Sequence, residues 1–438
     1  MAHAFRHLSA ERHGRLLALT VVAVASMTVG RARAEGLGQA TPPIGPPPGP
    51  STPRQVAPEA LTLAAAEARA LTSNPTLVAA RLQRPVDEAG VAVARERPNP
   101  DVSFNATRQT PRDLVALNVP IELGGKRTRR VELAEATVAS GEADLSQTIA
   151  QVQNSVRRAY YQAVAAQAKV TLTADAQRLA QRARDAAQAR FTAGEVPQSD
   201  VTQADLDLAD AEDDTTDAGG EAVATRAELN ALLGEPAATP IVFAEDLSAT
   251  PVPSLTDALA EATQTNTELK ALDRHIAEQA ARVNVARSQR IPDFSAGAGL
   301  TFNAEPDFGL GWSVTFDMTV PLFTSHRAGV TVETAELAHL HAARDARALA
   351  IAGDVEAAYA RLDSARARLE RLQTRSLPLG SQVEQMAQRA YAAGEKGLTD
   401  LLQALQQVRD IRLKALQSGL DFQLALADLE QAIGAPIR

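Results

Sequence analysis

The chain has 438 residues, is 45% hydrophobic but only 3% aromatic, and carries a formal charge of −9 with no cysteine. That length suits two or three domains. The lack of cysteine excludes disulfides, thiolate metal sites and a lipid-modified N-terminal cysteine, and the acidic balance argues against a nucleic-acid partner.

Arg6, Arg12 and Arg15 precede an apolar run from Leu16 to Val29, and Ala32-Arg33-Ala34 fits a small-x-small cleavage site. The run has 14 residues, short of the roughly 20 that a spanning helix needs. Residues 1–34 are therefore expected to be a cleaved signal peptide rather than an anchor. Without their five arginines and one glutamate the chain carries a net −13. No later stretch approaches 18 apolar residues, so insertion into a membrane must be by strands. Residues 35–58 hold eight prolines, from Pro42 to Pro58, which predicts an extended linker.

From about residue 60 the chain repeats itself. Leu63, Asn74, Leu77, Ala94, Pro100 and Asp101 recur 192 residues later as Leu255, Asn266, Leu269, Ala286, Pro292 and Asp293. Gly194, Asp200, Gln203, Leu229 and Gly234 recur 200 residues later as Gly394, Asp400, Gln403, Leu429 and Gly434. The period is far too long for a solenoid. It predicts two half-molecules, 59–236 and 252–436, with the extra residues of the second in a longer strand hairpin.

Each repeat opens with a helical pattern that ends near Pro98 or Pro292, and Pro85 predicts a break in the first. Strands near 101–121 and 293–322 follow. Val115, Leu117, Val119 and Ile121 alternate with smaller or polar residues, as do Leu310, Trp312, Val314, Phe316 and Met318; Glu305-Pro306-Asp307 supplies a turn. One face is thus apolar and the other small or polar. A transmembrane barrel strand has this pattern, and so does a half-buried soluble sheet. Trp312 fits either an aromatic girdle or ordinary sheet packing. If the strands span, four are too few to close a barrel, and open edges are not tolerated in lipid. Several chains must then share one barrel.

No proline lies between Ile121 and Val196, or between Leu322 and Leu377. Sixty helical residues would reach about 90 Å. Leu398, Leu401, Leu402, Leu405 and Val408 keep one apolar stripe beyond the turn at Gly394. No nucleophile elbow, zinc signature or dinucleotide fingerprint is present, so neither catalysis nor a cofactor is expected. His339 and His341 stand two apart and share no helical face. With Met318 and Met386 as the sole methionines beyond the signal, no soft-metal site is expected.

Strand hairpins set between long helices, twice over, resemble the TolC family of outer-membrane efflux channels. The resemblance spans about residues 60–436. It rests on Val119-Pro120-Ile121 and Val320-Pro321-Leu322 as strand-to-helix junctions. Arg190-Phe191-Thr192-Ala193-Gly194 with Asp200-Val201, and Tyr391-Ala392-Ala393-Gly394 with Asp400-Leu401, resemble the family's periplasmic hairpin tips. The Leu-Gly segments 229–234 and 429–434 resemble its repeat ends. Ile121-Glu122-Leu123-Gly124-Gly125-Lys126-Arg127 resembles the junction of the CzcC-like heavy-metal branch. It lacks the glycine spacing of a phosphate loop and reads more simply as glycines turning a strand into a helix, with Lys126, Arg127, Arg129 and Arg130 as polar residues below the membrane.

The resemblance implies a mainly α fold with a transmembrane β portion. It implies a homotrimer with a shared 12-stranded β-barrel in outer-membrane lipid, a long periplasmic α-barrel, and a small equatorial region formed by segments near 60–95 and 236–290 with the C-terminus. The implied function is a passive exit duct for divalent heavy-metal cations. Its implied partners are a periplasmic membrane-fusion adaptor and an inner-membrane pump of the resistance-nodulation-division type. Drugs or other organic compounds are the alternative cargo, and a pore-free periplasmic scaffold or adaptor is the alternative class. The family also implies a periplasmic aperture at Asp200, Tyr391, Lys396, Asp400 and Gln403. Asp400 would line it; Gln403 replaces a second family acid and weakens the acidic ring. Tyr391 and Lys396 would hold the aperture closed against the first hairpin, with Asp200 as the acidic partner. Asp200 and Asp400 also suit helix N-caps.

Overall fold

The computed structural model describes residues 60–108, 112–304, 306, 308–320, 322–435 and 437. The expected signal peptide and Pro-rich linker lie outside them, as do Glu305 and Asp307 of the second hairpin turn, Pro321 of the second junction, and Pro436.

In the first half come α1 (Leu63–Ser73), α2 (Pro75–Arg81), α3 (Gln83–Arg95), β1 (Asp101–Ala106), β2 (Asp113–Ile121), α4 (Lys126–Thr192) and α5 (Gln198–Leu233). In the second come α6 (Leu255–Thr265), α7 (Thr267–Ser288), β3 (Phe294–Ala304), β4 (Phe308–Met318), α8 (Arg327–Arg371), α9 (Leu377–Ala392) and α10 (Leu398–Ile433). The break expected from Pro85 falls at Leu82. It puts the proline in the first turn of α3, where its missing N–H costs no bond.

The long helices set the dimensions. α4 runs unbroken for 67 residues, about 100 Å. Its counterpart is assembled from the 45 residues of α8, a five-residue π-helical turn at Leu372–Ser376 and the 16 residues of α9. Pro378 is the cause: it has no N–H, and its ring crowds the carbonyl four residues back. The wider turn absorbs that defect, with Leu377 N–H bonding to the Leu372 carbonyl. The rod therefore continues past the expected proline stop. The two rods are nearly equal in length, so the longer second repeat comes from its hairpin, whose strands have 11 residues each against 6 and 9 in the first.

The strands form one antiparallel sheet in the order β1-β2-β3-β4. Its register places Phe104 opposite Val115, Val115 opposite Leu300, and Leu300 opposite Trp312. It also places Val119 opposite Ala296 and Ala296 opposite Phe316. The apolar positions thus line one continuous face, and Trp312 on it is 80% exposed. The other face aligns Asn118, Gly297 and Thr315. A Cβ at Gly297 would lie 2.0 Å from the Asn118 Oδ1 and 2.4 Å from the Thr315 Oγ1, so the missing side chain makes room for its polar neighbours.

Each repeat is closed on itself by an equivalent joint. The Oδ1 of buried Asn74 accepts from the N–H of Thr76 (2.9 Å) and of Leu77 (3.2 Å), capping α2, while its Nδ2 donates to the Leu232 carbonyl at 2.8 Å. Asn266 caps α7 through Glu268 (3.0 Å) and Leu269 (3.1 Å) and donates to the Ala432 carbonyl at 3.0 Å. Each asparagine thus ties the start of its repeat to the end of the same repeat. Around the first joint pack Leu77, Val156, Tyr160, Leu229 and Leu233; around the second pack Val355, Leu362, Phe422, Leu429 and Ile433. The connection between the repeats is extended, and Phe243 in it forms a parallel bridge with Leu61.

Candidate functional site

Both rods turn back at their lower ends in the same way. Gly194 N–H bonds to the Phe191 carbonyl (2.9 Å) and Glu195 N–H to the Arg190 carbonyl (2.9 Å). Gly394 bonds to Tyr391 (3.1 Å) and Glu395 to Ala390 (2.9 Å) in the same pattern. These paired bonds satisfy the last helix carbonyls. The tips are held together by Ala183 and Ala187 of α4, Val201 and Ala204 of α5, Tyr391 of α9, and Leu398, Leu401 and Leu402 of α10. The apolar stripe read from 398 to 408 is therefore the seam between the hairpins.

Tyr391 is the one expected aperture residue that bridges the two hairpins. It is buried, and its partner is Arg190. The guanidinium lies 4.2 Å from the ring centroid, and one of its nitrogens donates to the Tyr391 carbonyl at 2.8 Å. Glu195 stands 3.9 Å from the same guanidinium. Lys396 does not reach the first hairpin within the protomer; it faces Asp400 of its own hairpin at 3.9 Å, both side chains exposed. Asp200 meets Ser199 at 3.4 Å and neither Tyr391 nor Lys396. Gln403 is exposed near the start of α10. The N-cap roles are corrected: Pro197 and Gly397 occupy those positions, and Asp200 and Asp400 stand in the first helical turn. There they favour the positive end of the helix dipole without bonding to it.

Arg190 stands in the tip motif, and its part in joining the hairpins is a feature of the folded chain. A signal was available in the repeat. Residue 390, its equivalent 200 positions on, is alanine, and Phe191 is the equivalent of Tyr391. The one tip pairs a cation with the aromatic of the other.

Above the tips, α5 and α10 are joined by polar contacts. Arg409 meets Asp214 at 3.0 Å, and Gln406 donates to Asp207 at 3.2 Å. Burial pushes the Asp207 carboxyl up from its ordinary value, against the hydrogen bond from Gln203. At the upper end the strand-to-helix junction is clamped rather than merely polar. Lys126 pairs with Asp293 at 2.7 Å, and Asp293 also accepts from the Leu123 N–H at 3.2 Å. Arg127 donates to the Arg95 carbonyl at 2.7 Å, and Arg130 pairs with Glu122. Gly125 turns the chain into α4 at a φ of +69°, as expected for a glycine junction. Its counterpart His326 does the same at +53°.

An open sheet with one lipid-like face, two rods near 100 Å in length and two packed tips describe a piece of a conduit. The family profile for outer membrane efflux protein matches residues 68–235 and again residues 258–435. The chain belongs to the outer membrane efflux protein family. This efflux protein is 28% identical over 362 residues to the cobalt-zinc-cadmium resistance protein CzcC of Cupriavidus metallidurans, a match covering 81% of this chain and 86% of that one. It is 29% identical over 442 residues to the protein CyaE of Bordetella pertussis, covering 90% and 89%. The solved outer-membrane channel CmeC of Campylobacter jejuni shares its fold with a TM-score of 0.72 at 16% identity, over 85% of each chain. The TolC-like reading of the fold therefore holds, and the efflux protein is an outer-membrane channel subunit with a large periplasmic portion.

Proposed function

We propose that three copies of the chain form the passive exit duct of a tripartite pump, and that the cargo is divalent heavy-metal cations. The observation that carries the duct reading is the sheet: four strands with two open edges and one continuous apolar face. In lipid both edges must be closed, and three such sheets make twelve strands. The rods continue the tube into the periplasm. Cargo crosses without chemistry. An inner-membrane pump of the resistance-nodulation-division type supplies the energy, coupled through a periplasmic adaptor at the tips.

The metal cargo is supported by the likeness to the cobalt-zinc-cadmium resistance protein and by the acidity of the chain. Selection among metals would then lie in the pump and adaptor. We assign the aperture to the tips: Asp400 lines it, Gln403 leaves it less acidic, and Asp200 and the exposed Lys396, whose partner is Asp400 of its own hairpin, are within reach of a neighbouring copy. Tyr391, held by Arg190, joins the hairpins within each copy.

A deletion strain tests the cargo. It should lose tolerance to cobalt, zinc or cadmium salts and keep its tolerance to dyes, detergents and antibiotics. The opposite pattern would make the cargo organic. A soluble monomer in the periplasmic fraction, in place of a heat-modifiable trimer in the outer membrane, would make the chain a scaffold.

A further inference from the structure

The protomer has two unlike sides. On one lie β1, α3 and the outer face of α5; on the other lie β4 and α8. Among the described residues β1 pairs only with β2 and β4 only with β3. α3 packs on α4 and has no buried residue. Its Val86 and Val93, and Leu82 just before it, are 61%, 64% and 65% exposed, and helical spacing puts all three on one face. That is an apolar stripe with nothing over it among the described residues.

Lower down, α5 takes over this side. From Gln198 to Thr225 it has nine acids and no basic residue. Some are neutralised within the protomer: Asp205 by Arg184, Asp214 by Arg409 and Glu221 by Lys169. Asp213 and Asp217 are not. Asp213 lies across the helix from buried Ala204, Ala211 and Ala218, with Asp217 one turn above it; both are exposed and pair with no cation among the described residues.

The opposite side is built to match. α8 buries Ile351, Val355, Ala358 and Leu362 toward its own protomer. The other face of its upper part is exposed and small, through Ala342, Ala346, Gly353 and Ala357, which lets another helix approach closely. Further down that face turns basic. Arg371 and Arg375 are exposed and have no carboxylate partner among the described residues. Asp213 and Asp217 stand 19 and 23 residues after the tip glycine Gly194; Arg375 and Arg371 stand 19 and 23 residues before the tip glycine Gly394. α5 rises from its tip and the α8–α9 rod descends to its own, so the two rows of charge lie at matched heights on antiparallel helices.

We propose that a second copy of this chain covers both sides, with Asp213 against Arg375 and Asp217 against Arg371 of the next copy, and with the α3 stripe on the small-residue face of α8. The inference rests on the channel reading, which requires further copies to close the sheet. It adds which surfaces meet and a division of labour along the tube. The upper contact is apolar and insensitive to salt. The lower one is ionic, screened over about 8 Å at physiological ionic strength, and so is the more easily broken and remade.

Because the chain has no cysteine, introduced thiols report without background. Asp217→Cys with Arg371→Cys in one chain, treated in isolated outer membranes with a short bifunctional thiol reagent, should give covalent dimers and trimers on denaturing gels. Either single variant should remain monomeric, as should Asp217→Cys with Arg361→Cys, placed ten residues higher on α8. Asp217→Arg should lower the temperature at which the unheated trimer dissociates, and adding Arg371→Asp should largely restore it. A trimeric wild type with no cross-link from the first pair, or a charge swap whose losses simply add, would overturn this pairing and leave the channel standing. A wild type that never forms a trimer would overturn both.

Discussion

The guanidinium of Arg190 lies 4.2 Å from the ring centroid of Tyr391 and donates to the carbonyl of that same residue at 2.8 Å. One side chain from the first hairpin thereby holds both the ring and the backbone of the second. A cation over an aromatic face contributes about 1–2 kcal/mol when partly desolvated, and a charged hydrogen bond about as much. If the tips are the closed end of the duct and both contacts are lost on opening, Arg190→Ala shifts the closed state toward the open one about 30-fold or more, the ratio that about 2 kcal/mol commands. Cells making this variant should become sensitive to large antibiotics that the outer membrane excludes, and conductance in planar bilayers should rise. Arg190→Lys should fall between, since it keeps the charge but loses the flat fork. Wild-type conductance in Arg190→Ala would remove the contact from gating.

The two asparagine joints make a stability prediction of their own. Asn266→Ala leaves the N–H groups of Glu268 and Leu269 uncapped and the Ala432 carbonyl without its donor. Loss of an N-cap costs about 1 kcal/mol and an unsatisfied buried acceptor about as much again, so about 2 kcal/mol is expected. Asn266→Asp keeps the cap and loses only the donor, and should fall between wild type and alanine. Asn74 should behave alike in the first repeat. Gly434→Ala should be worse than either, because φ is +80° there and a Cβ would stand 2.7 Å from the Asn266 Cα. Thermal melts in detergent, followed by circular dichroism, rank all four.

The joints also explain why the duplication could be read at all. Asn74, Leu77, Leu229 and Gly234 are far apart in the chain but meet in space, and so do Asn266, Leu269, Leu429 and Gly434. Their spacing survived because each fills a specific capped and packed position. Strand faces were equally legible, since a period of two is a local signal. The tip contacts were not. Arg190 and Tyr391 are 201 residues apart, and nothing local to either names the other. The π-helical turn escaped for a different reason. A proline predicts a defect, but whether a helix stops or widens depends on what the neighbouring rod gains by continuing.

His326 and Gly125 hold the same place in their repeats, each left-handed at the entry to a long helix, with φ of +53° and +69°. A side chain there costs about 1 kcal/mol relative to glycine. His326→Gly should therefore raise the melting temperature, and Gly125→Ala should lower it. The pair is a controlled comparison, because the two changes run in opposite directions at equivalent positions. If His326→Gly is destabilising, the imidazole makes a contact in the assembled channel that the protomer lacks.

Acidity should act on the equator through Arg157. This residue lies between two carboxylates, pairing with Glu430 and standing 3.7 Å from Glu67. Burial is the main cause that raises both carboxyls from their ordinary value of 4.5, with the Arg157 charge pulling the other way. A carboxyl that holds its proton more tightly in the folded state stabilises the fold below its unfolded pKa, and that contribution is lost as the pH rises through the folded one. Near neutral pH two carboxylates share one cation. Glu67→Gln should then raise the melting temperature at pH 7 and change it little near pH 4. Arg157→Gln should do the reverse, leaving both carboxylates uncompensated at a cost of about 3 kcal/mol at pH 7 and a much smaller one in acid. Melts of the two variants should lie close together near pH 4 and move apart toward pH 8; parallel curves would mean that the carboxylates are solvated well enough to ignore their shared arginine.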